Sequence, residues 1–292
     1  TLLAGTANGQ HHVFVHDRDT GETAVVSVAD DGALGDGWSG ITRHSLSANG
    51  RYVSFWSMAA NLVAGDTNGY SDIFLADRQT GDFERISLAE DGSEPNWTSV
   101  YPAITSDARY IAFTSSATNL VANDTNAEGD IFLYDRQTSS IERASVAADG
   151  SQANGASSDP SFSGNGQYVA YVSWASNLIS GDNNNRSDIL VRDLNTGAVE
   201  RVSVSSSGVQ GDSNSYGPSM SDDGRYVAFD SAAATLVADD TNGTYDVFLY
   251  DRQTDAVVRV SVSSSGAQGN GDSNGAAVSG DGRYVAFGSN AS

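Results

Sequence analysis

The chain has 292 residues and carries 37 acidic against 15 basic side chains, every basic one an arginine, for a formal charge of -22. Such acidity repels phosphate backbones and anionic lipid, which excludes sequence-independent binding to either, and it favours cations. There is no cysteine for a disulfide framework or thiolate chemistry. No apolar run approaches the roughly 18 to 20 residues that cross a bilayer, and the first residues lack the succession of a signal peptide, so a soluble, processed segment is expected.

From the N-terminus onward, short apolar runs alternate with Gly, Asn, Asp and Ser, the texture of many strands joined by turns. The segment Arg-Tyr-Val-x-Phe or a near match begins at Arg51, Arg109, Gln167, Arg225 and Arg283, always 58 residues apart. A second marker, an aspartate closing an apolar strand, stands at Asp17, Asp77, Asp135, Asp193 and Asp251, where only the first step is 60. The two extra residues lie between Asp17 and Arg51, in the loop containing Trp38.

Each repeat predicts four strands, as in the third: 160–163, 167–173, 188–192 and 199–204. Strands per unit in this number are the pattern of a propeller blade. In the third strand Ile73 and Leu75 point to one side and Phe74 to the other, so both faces need covering by neighbouring sheets. Thr1 aligns with Asn61 in the repeat frame and Ser292 with Ala60. This predicts an all-β, five-bladed propeller in a single domain, 1–292. Residues 1–41 and 276–292 would share the closing blade, which removes free sheet edges.

The links between second and third strands, and between one repeat and the next, are long and should emerge on one face, where recognition is expected. The second-to-third link carries Asp-x-Asn-x-x-x-Asp in four repeats: Asp66, Asn68, Asp72; Asp124, Asn126, Asp130; Asp182, Asn184, Asp188; Asp240, Asn242, Asp246. Side-chain oxygens at this spacing, with Gly69 or Gly243 permitting a bend, suggest a calcium loop, although calcium needs about 6 to 8 oxygens and backbone or water would have to complete the shell. The other reading is that Asp and Asn cap their own turns without metal. The N-terminal repeat, ahead of these four, has Thr6, Asn8 and His12 in these places and is expected to lack the site. His11, His12 and His16 cluster there without a further ligand at metal spacing.

No cysteine nucleophile, nucleophile elbow, phosphate loop or His-Glu-x-x-His motif is present. A glycosidase would need two carboxylates about 5 to 9.5 Å apart, and the innermost strands offer Asp159 as their conspicuous acid. Trp38 and Trp97 fall at matching places in the long links of adjacent repeats and could form a platform for sugar stacking or protein docking, or else a plug over a blade seam. Trp56 and Trp174, directly after second strands, are expected to pack in the core or rim.

The combination Ser-x-Asp/Asn-Gly-Arg-Tyr-Val-Ala-Phe followed by Asp-Ile-Phe-Leu-Tyr-Asp-Arg resembles the WD-repeat-like blade of the TolB family, and the likeness covers all the repeats. It implies a propeller that offers docking surfaces in an envelope or secreted setting. The expectation is therefore a non-enzymatic, extracytoplasmic binding or cell-surface interaction module, stabilised by Ca²⁺. It would be a monomer or part of a larger surface protein, with a protein or glycan partner on the long-loop face, no nucleic acid and no membrane insertion. A lectin-like face and a glycan-cleaving hydrolase are the alternatives.

Overall fold

A strand that is apolar on both sides is satisfied only when its sheet lies between two others. The structure, a computed structural model, packs neighbouring sheets face to face within each of its units; it describes residues 8–29 and 31–292. These contain strands and no helix. The chain divides into two compact units, residues 1–143 and 144–292.

In the first unit, β1 (Phe14–His16) and β2 (Thr23–Val25) form a two-stranded sheet. It is followed by a four-stranded antiparallel sheet of β3 (Ser39–Gly40), β4 (Tyr52–Ser57), β5 (Asp72–Asp77) and β6 (Phe83–Arg85), and another of β7 (Ser99–Ile104), β8 (Tyr110–Ser115), β9 (Asp130–Asp135) and β10 (Ser140–Arg143). Ile73 and Leu75 pack against Phe113 and Phe132 of the next sheet. On the other side Phe74 packs with Val13 and Val26 of the preceding one.

The second unit has the same plan. Two four-stranded sheets, β11 (Ser157–Phe162) to β14 (Val199–Arg201) through β12 (Tyr168–Ser173) and β13 (Asp188–Asp193), and β15 (Ser215–Met220) to β18 (Ala256–Arg259) through β16 (Tyr226–Ser231) and β17 (Asp246–Asp251), precede the two-stranded sheet of β19 (Ser273–Val278) and β20 (Val285–Ser289). Val191 lies in one core with Phe229 and Phe248, and Val247 meets Ala276 and Val285. Burying one such side chain contributes about 1.5–3 kcal/mol.

Three features explain the repeated sequence. Arg51 Nη2 lies 2.5 Å from Asp77 Oδ2, and Arg109–Asp135 and Arg225–Asp251 repeat the pair. The two sequence markers are thus the two ends of one ion pair that ties the second strand to the third. Phe55 stacks on Phe74 at 5.6 Å, and Phe113–Phe132 and Phe229–Phe248 do so at 5.8 Å. Buried serines join the first strand to the second, with Ser157 Oγ to Ser173 Oγ at 2.9 Å and Ser215 Oγ to Ser231 Oγ at 3.0 Å.

The first strands begin earlier than expected, at Ser157 in the third repeat, because a bulge between Ser158 and Ser161 carries the chain past Asp159 and Pro160 before pairing resumes. The extra pair of residues lies between Asp17 and Arg51, as expected, but past the loop that contains Trp38. Ser39 pairs with Ser57 as Ser99 pairs with Ser115, so the insertion follows Ser39 and does not precede Trp38.

Candidate functional site

Each Asp-x-Asn-x-x-x-Asp loop makes a tight turn just ahead of the third strand. Its fourth member adopts a left-handed backbone in every repeat that has the motif, at Gly69 (φ 70), Ala127 (φ 55), Asn185 (φ 53) and Gly243 (φ 66). The asparagine holds the turn. In the third repeat Asn184 Oδ1 accepts the Arg186 N–H at 2.9 Å, while its Nδ2 donates to Gly211 O at 3.0 Å and to Asp188 Oδ2 at 3.4 Å. Asn68 and Asn242 are oriented identically, accepting from Tyr70 N and Thr244 N and donating to Asp72 and Asp246.

The last aspartate of each loop is buried. Ser203 Oγ donates to Asp188 Oδ1 at 2.6 Å, as Ser87 does to Asp72 and Ser261 to Asp246, both at 2.5 Å. The loop motif contains no partner for these carboxylates; the fold supplies an arginine from the fourth strand. Arg201 Nη1 lies 2.9 Å from Asp188 Oδ2 and 3.3 Å from Asp182 Oδ1. Arg85 reaches Asp66 at 3.4 Å, Asp72 at 3.6 Å and Glu94 at 2.8 Å. Arg143 lies 3.4 Å from both Asp124 and Asp130, and Arg259 lies 3.5 Å from Asp240 and 3.8 Å from Asp246.

Burial pushes Asp66 up to about 6, with the neighbouring Asp72 charge adding to the effect and Arg85 opposing it. Burial likewise raises Asp72, Asp188 and Asp240. Glu94 is held down to about 2, first by the Thr67 hydroxyl and N–H and then by Arg85.

These groups do not fit a calcium ion as they are folded. The asparagine carbonyl, which would have to be a ligand, faces a backbone N–H, and its amide N–H₂ faces the carboxylate. A buried guanidinium stands among the aspartates where the cation would be, and two positive charges cannot share that space without large repulsion. Among the described residues no group of three metal-binding side chains is assembled.

The N-terminal repeat, residues 1–28, departs from the motif as a whole. Thr6 lies outside the described residues. Asn8 keeps its turn, accepting Gln10 N at 3.1 Å and donating to Gly35 O at 2.9 Å. His12 replaces the last aspartate and contacts Ser27 Oγ at 3.3 Å. The position of the arginine is Val25. Loss of the carboxylate and of the arginine in the same repeat marks them as one device. His16 contacts Thr23 Oγ1 at 2.8 Å and His11 stacks on Trp38, so the three histidines face different partners.

The aromatic side chains form a second set. Trp38 and Trp97 are 52% and 53% exposed. They do not occupy matching places: Trp38 O accepts Met58 N as Thr98 O accepts Ser116 N, so Trp38 corresponds to Thr98 and Trp97 to Gly37, a shift of one residue that follows from the insertion after Ser39. Each indole has its own aromatic neighbour, His11 for Trp38 at 4.8 Å and Tyr70 for Trp97 at 5.0 Å. Trp56 is half-buried against the core, as expected. Trp174 is not; it is 42% exposed and contacts Tyr216. A residue that directly follows a strand can face either way, and here its backbone turns with Ala156.

No protein-family model matches the chain, and no curated protein matches its sequence. Solved structures do resemble it. TolB from Acinetobacter baumannii superposes with a TM-score of 0.52 over 95% of this chain and 59% of its own, at 16% identity. A TolB-assigned protein from Agrobacterium tumefaciens gives 0.55 over 94% of this chain and 76% of its own, at 15% identity. Oligogalacturonate lyase from Vibrio parahaemolyticus gives 0.56 over 96% and 66%, at 12% identity. The blades are TolB-like.

At such identities the TolB-like resemblance concerns the fold, and these neighbours include both TolB and an enzyme. The chain spans about three fifths of the length of the Acinetobacter TolB, 59%. In the TolB-like frame Asp159 stands in the first-strand bulge with a left-handed backbone, φ 56, where the other repeats place Tyr101, Gly217 and Gly275.

Proposed function

We propose that the chain is a non-enzymatic binding module, extracytoplasmic like the TolB family it resembles, whose recognition surface is built on the long second-to-third and inter-repeat links. The observation that carries this reading is the placing of exposed aromatic residues at positions where the blade requires none. Trp38 corresponds to Thr98, Ala156, Asn214 and Asp272, and Trp97 to Gly37, Gly155, Ser213 and Gly271. Side chains that packing does not explain, yet held by the strand-end backbone, are suited to a partner. Catalysis is disfavoured because the repeats offer no second carboxylate at the Asp159 position.

We further propose that the half-sheets β1–β2 and β19–β20 form a fifth blade. Phe287 and Phe14 hold the places of the stacked phenylalanines of the complete sheets, and Arg283 and Asp17 those of the strand-tying ion pair. Phe287 is 37% exposed, whereas its counterparts Phe55, Phe113 and Phe229 are fully buried.

The binding reading is tested with Trp38→Thr and Trp97→Gly, which install residues that other repeats carry. Both variants should keep the parental melting temperature. The double variant should lose binding to whichever partner the parent retains in a glycan array or a pull-down from the extracytoplasmic fraction. Unchanged retention would remove these indoles from the surface.

A further inference from the structure

A different set of aromatic residues in the second unit makes a site of its own. Trp174 contacts Tyr216 at 5.8 Å between ring centroids, and Tyr216 contacts Tyr245 at 6.1 Å. The three rings form a continuous ridge across two neighbouring sheets. Each is carried on hydrogen-bonded backbone. The Trp174 N–H donates to Ala156 O at 2.8 Å, Tyr216 lies within β15 and is paired with Asp230 of β16, and Tyr245 donates its N–H to Asp272 Oδ1 at 3.0 Å while its carbonyl accepts Ser273 N at 2.7 Å.

The blade does not ask for these residues. Other repeats place Met58, Ser116, Ala232 or Asn290 at the Trp174 position, Val100, Ser158 or Asn274 at that of Tyr216, and Ser71, Gly129 or Ser187 at that of Tyr245. Only Tyr216 contributes to the core beneath, while Trp174 stays 42% exposed.

We propose that Trp174, Tyr216 and Tyr245 form a binding site for a neutral oligosaccharide. The ring planes step by 50° and 39° along the ridge, so faces and edges meet the C–H groups of successive sugar rings, and aromatics already packed on one another lose little entropy on binding. Asn214 and Asp272, beside Tyr216 and Tyr245, offer amide and carboxylate partners for hydroxyl groups. The charge of -22, with no lysine anywhere, repels uronate polymers and nucleic acid, so the sugar is not an anionic one. This site shares no residue with the Trp38 and Trp97 pairs, so it stands or falls separately from them.

The test is calorimetric titration of the full chain with cello-, xylo-, manno- and chito-oligosaccharides, and with oligogalacturonate as the anionic comparison. Trp174→Ala and Tyr245→Ser copy Ala232 and Ser187 and should leave the melting temperature unchanged. At least one neutral sugar should bind saturably. Each variant should weaken it by about tenfold, the loss of one stacked ring, while the Trp38→Thr, Trp97→Gly variant binds as the parent does. Absence of saturable binding to every neutral sugar, preference for oligogalacturonate, or full binding by Trp174→Ala would each overturn the proposal.

Discussion

Arg201 Nη1 lies 2.9 Å from Asp188 Oδ2 and 3.3 Å from Asp182 Oδ1, so one buried guanidinium bridges the first and last carboxylates of its loop. Removing it strands two buried charges. Arg201→Met should therefore destabilise the protein by about 3–5 kcal/mol, as breaking a buried pair does. Adding Asp182→Asn and Asp188→Asn should restore much of the loss, because the N-terminal repeat folds with His12 in place of the last aspartate and Val25 in place of the arginine. Denaturant titration of the single and triple variants measures both effects.

The same geometry bears on calcium. With Asn184 turned toward a backbone N–H and Arg201 among the carboxylates, calcium and chelator should leave the melting temperature of the parent unchanged across the millimolar range in which extracellular calcium modules bind. A calcium-dependent rise, reduced by Asp124→Ala with Asp130→Ala, would show that the ion displaces the arginine and would sink the arginine account.

The strands, the repeat and the outward loops were legible because alternation of apolar side chains and a constant step are local signals. The arginines were not read, although Arg85, Arg143, Arg201 and Arg259 each follow the loop's last aspartate at one fixed distance and are absent where His12 stands. That signal spans two strands, and only pairing of the third strand with the fourth brings its ends together. The matching of Trp38 with Trp97 failed for a similar reason. A two-residue insertion can be placed before or after Ser39 in sequence, and only its pairing with Ser57 decides.

Acid should affect the Asp66 loop in an unusual direction. Asp66 is raised to about 6 by burial and by Asp72, so the folded state takes up a proton before the unfolded state does. Its contribution therefore favours folding increasingly as pH falls through the folded value toward the ordinary carboxylate range, and disfavours it above. His44 acts oppositely: burial lowers it to about 4, so stability is lost as pH falls below the ordinary histidine value. Comparing the parent with Asp66→Asn cancels His44. The parent should gain stability relative to the variant between about pH 7 and pH 4, and a pH-independent difference would count against the assignment.

The second repeat carries non-glycine residues where others have glycine. Ala127 (φ 55) and Ser139 (φ 54) are exposed and left-handed, where Gly69 and Gly243, and Gly81 and Gly197, stand elsewhere. A left-handed L residue costs about 1–2 kcal/mol, and glycine returns part of this through its freer unfolded chain. Ala127→Gly and Ser139→Gly should each stabilise by about 0.5–1 kcal/mol, read from the urea midpoint. Ala108 (φ 59) is excluded from this expectation because its methyl group is fully buried.

In the complete sheets Ser54 pairs with Leu75 and Ala228 with Leu249, so a fifth blade built on the same register would set Ala286 of β20 opposite Val15 of β1. The chain has no cysteine, so Ala286→Cys with Val15→Cys introduces the sole thiols. If the half-sheets make one blade within a chain, oxidation should give a monomeric cross-link in high yield at low protein concentration. That product should melt higher than its reduced form, since linking distant residues restricts the unfolded chain by about 2–4 kcal/mol. A dimer that grows with concentration would place the partner strand on a second copy. Failure to cross-link at any concentration would mean that β20 ends its sheet with an open edge, and that the fifth blade does not form.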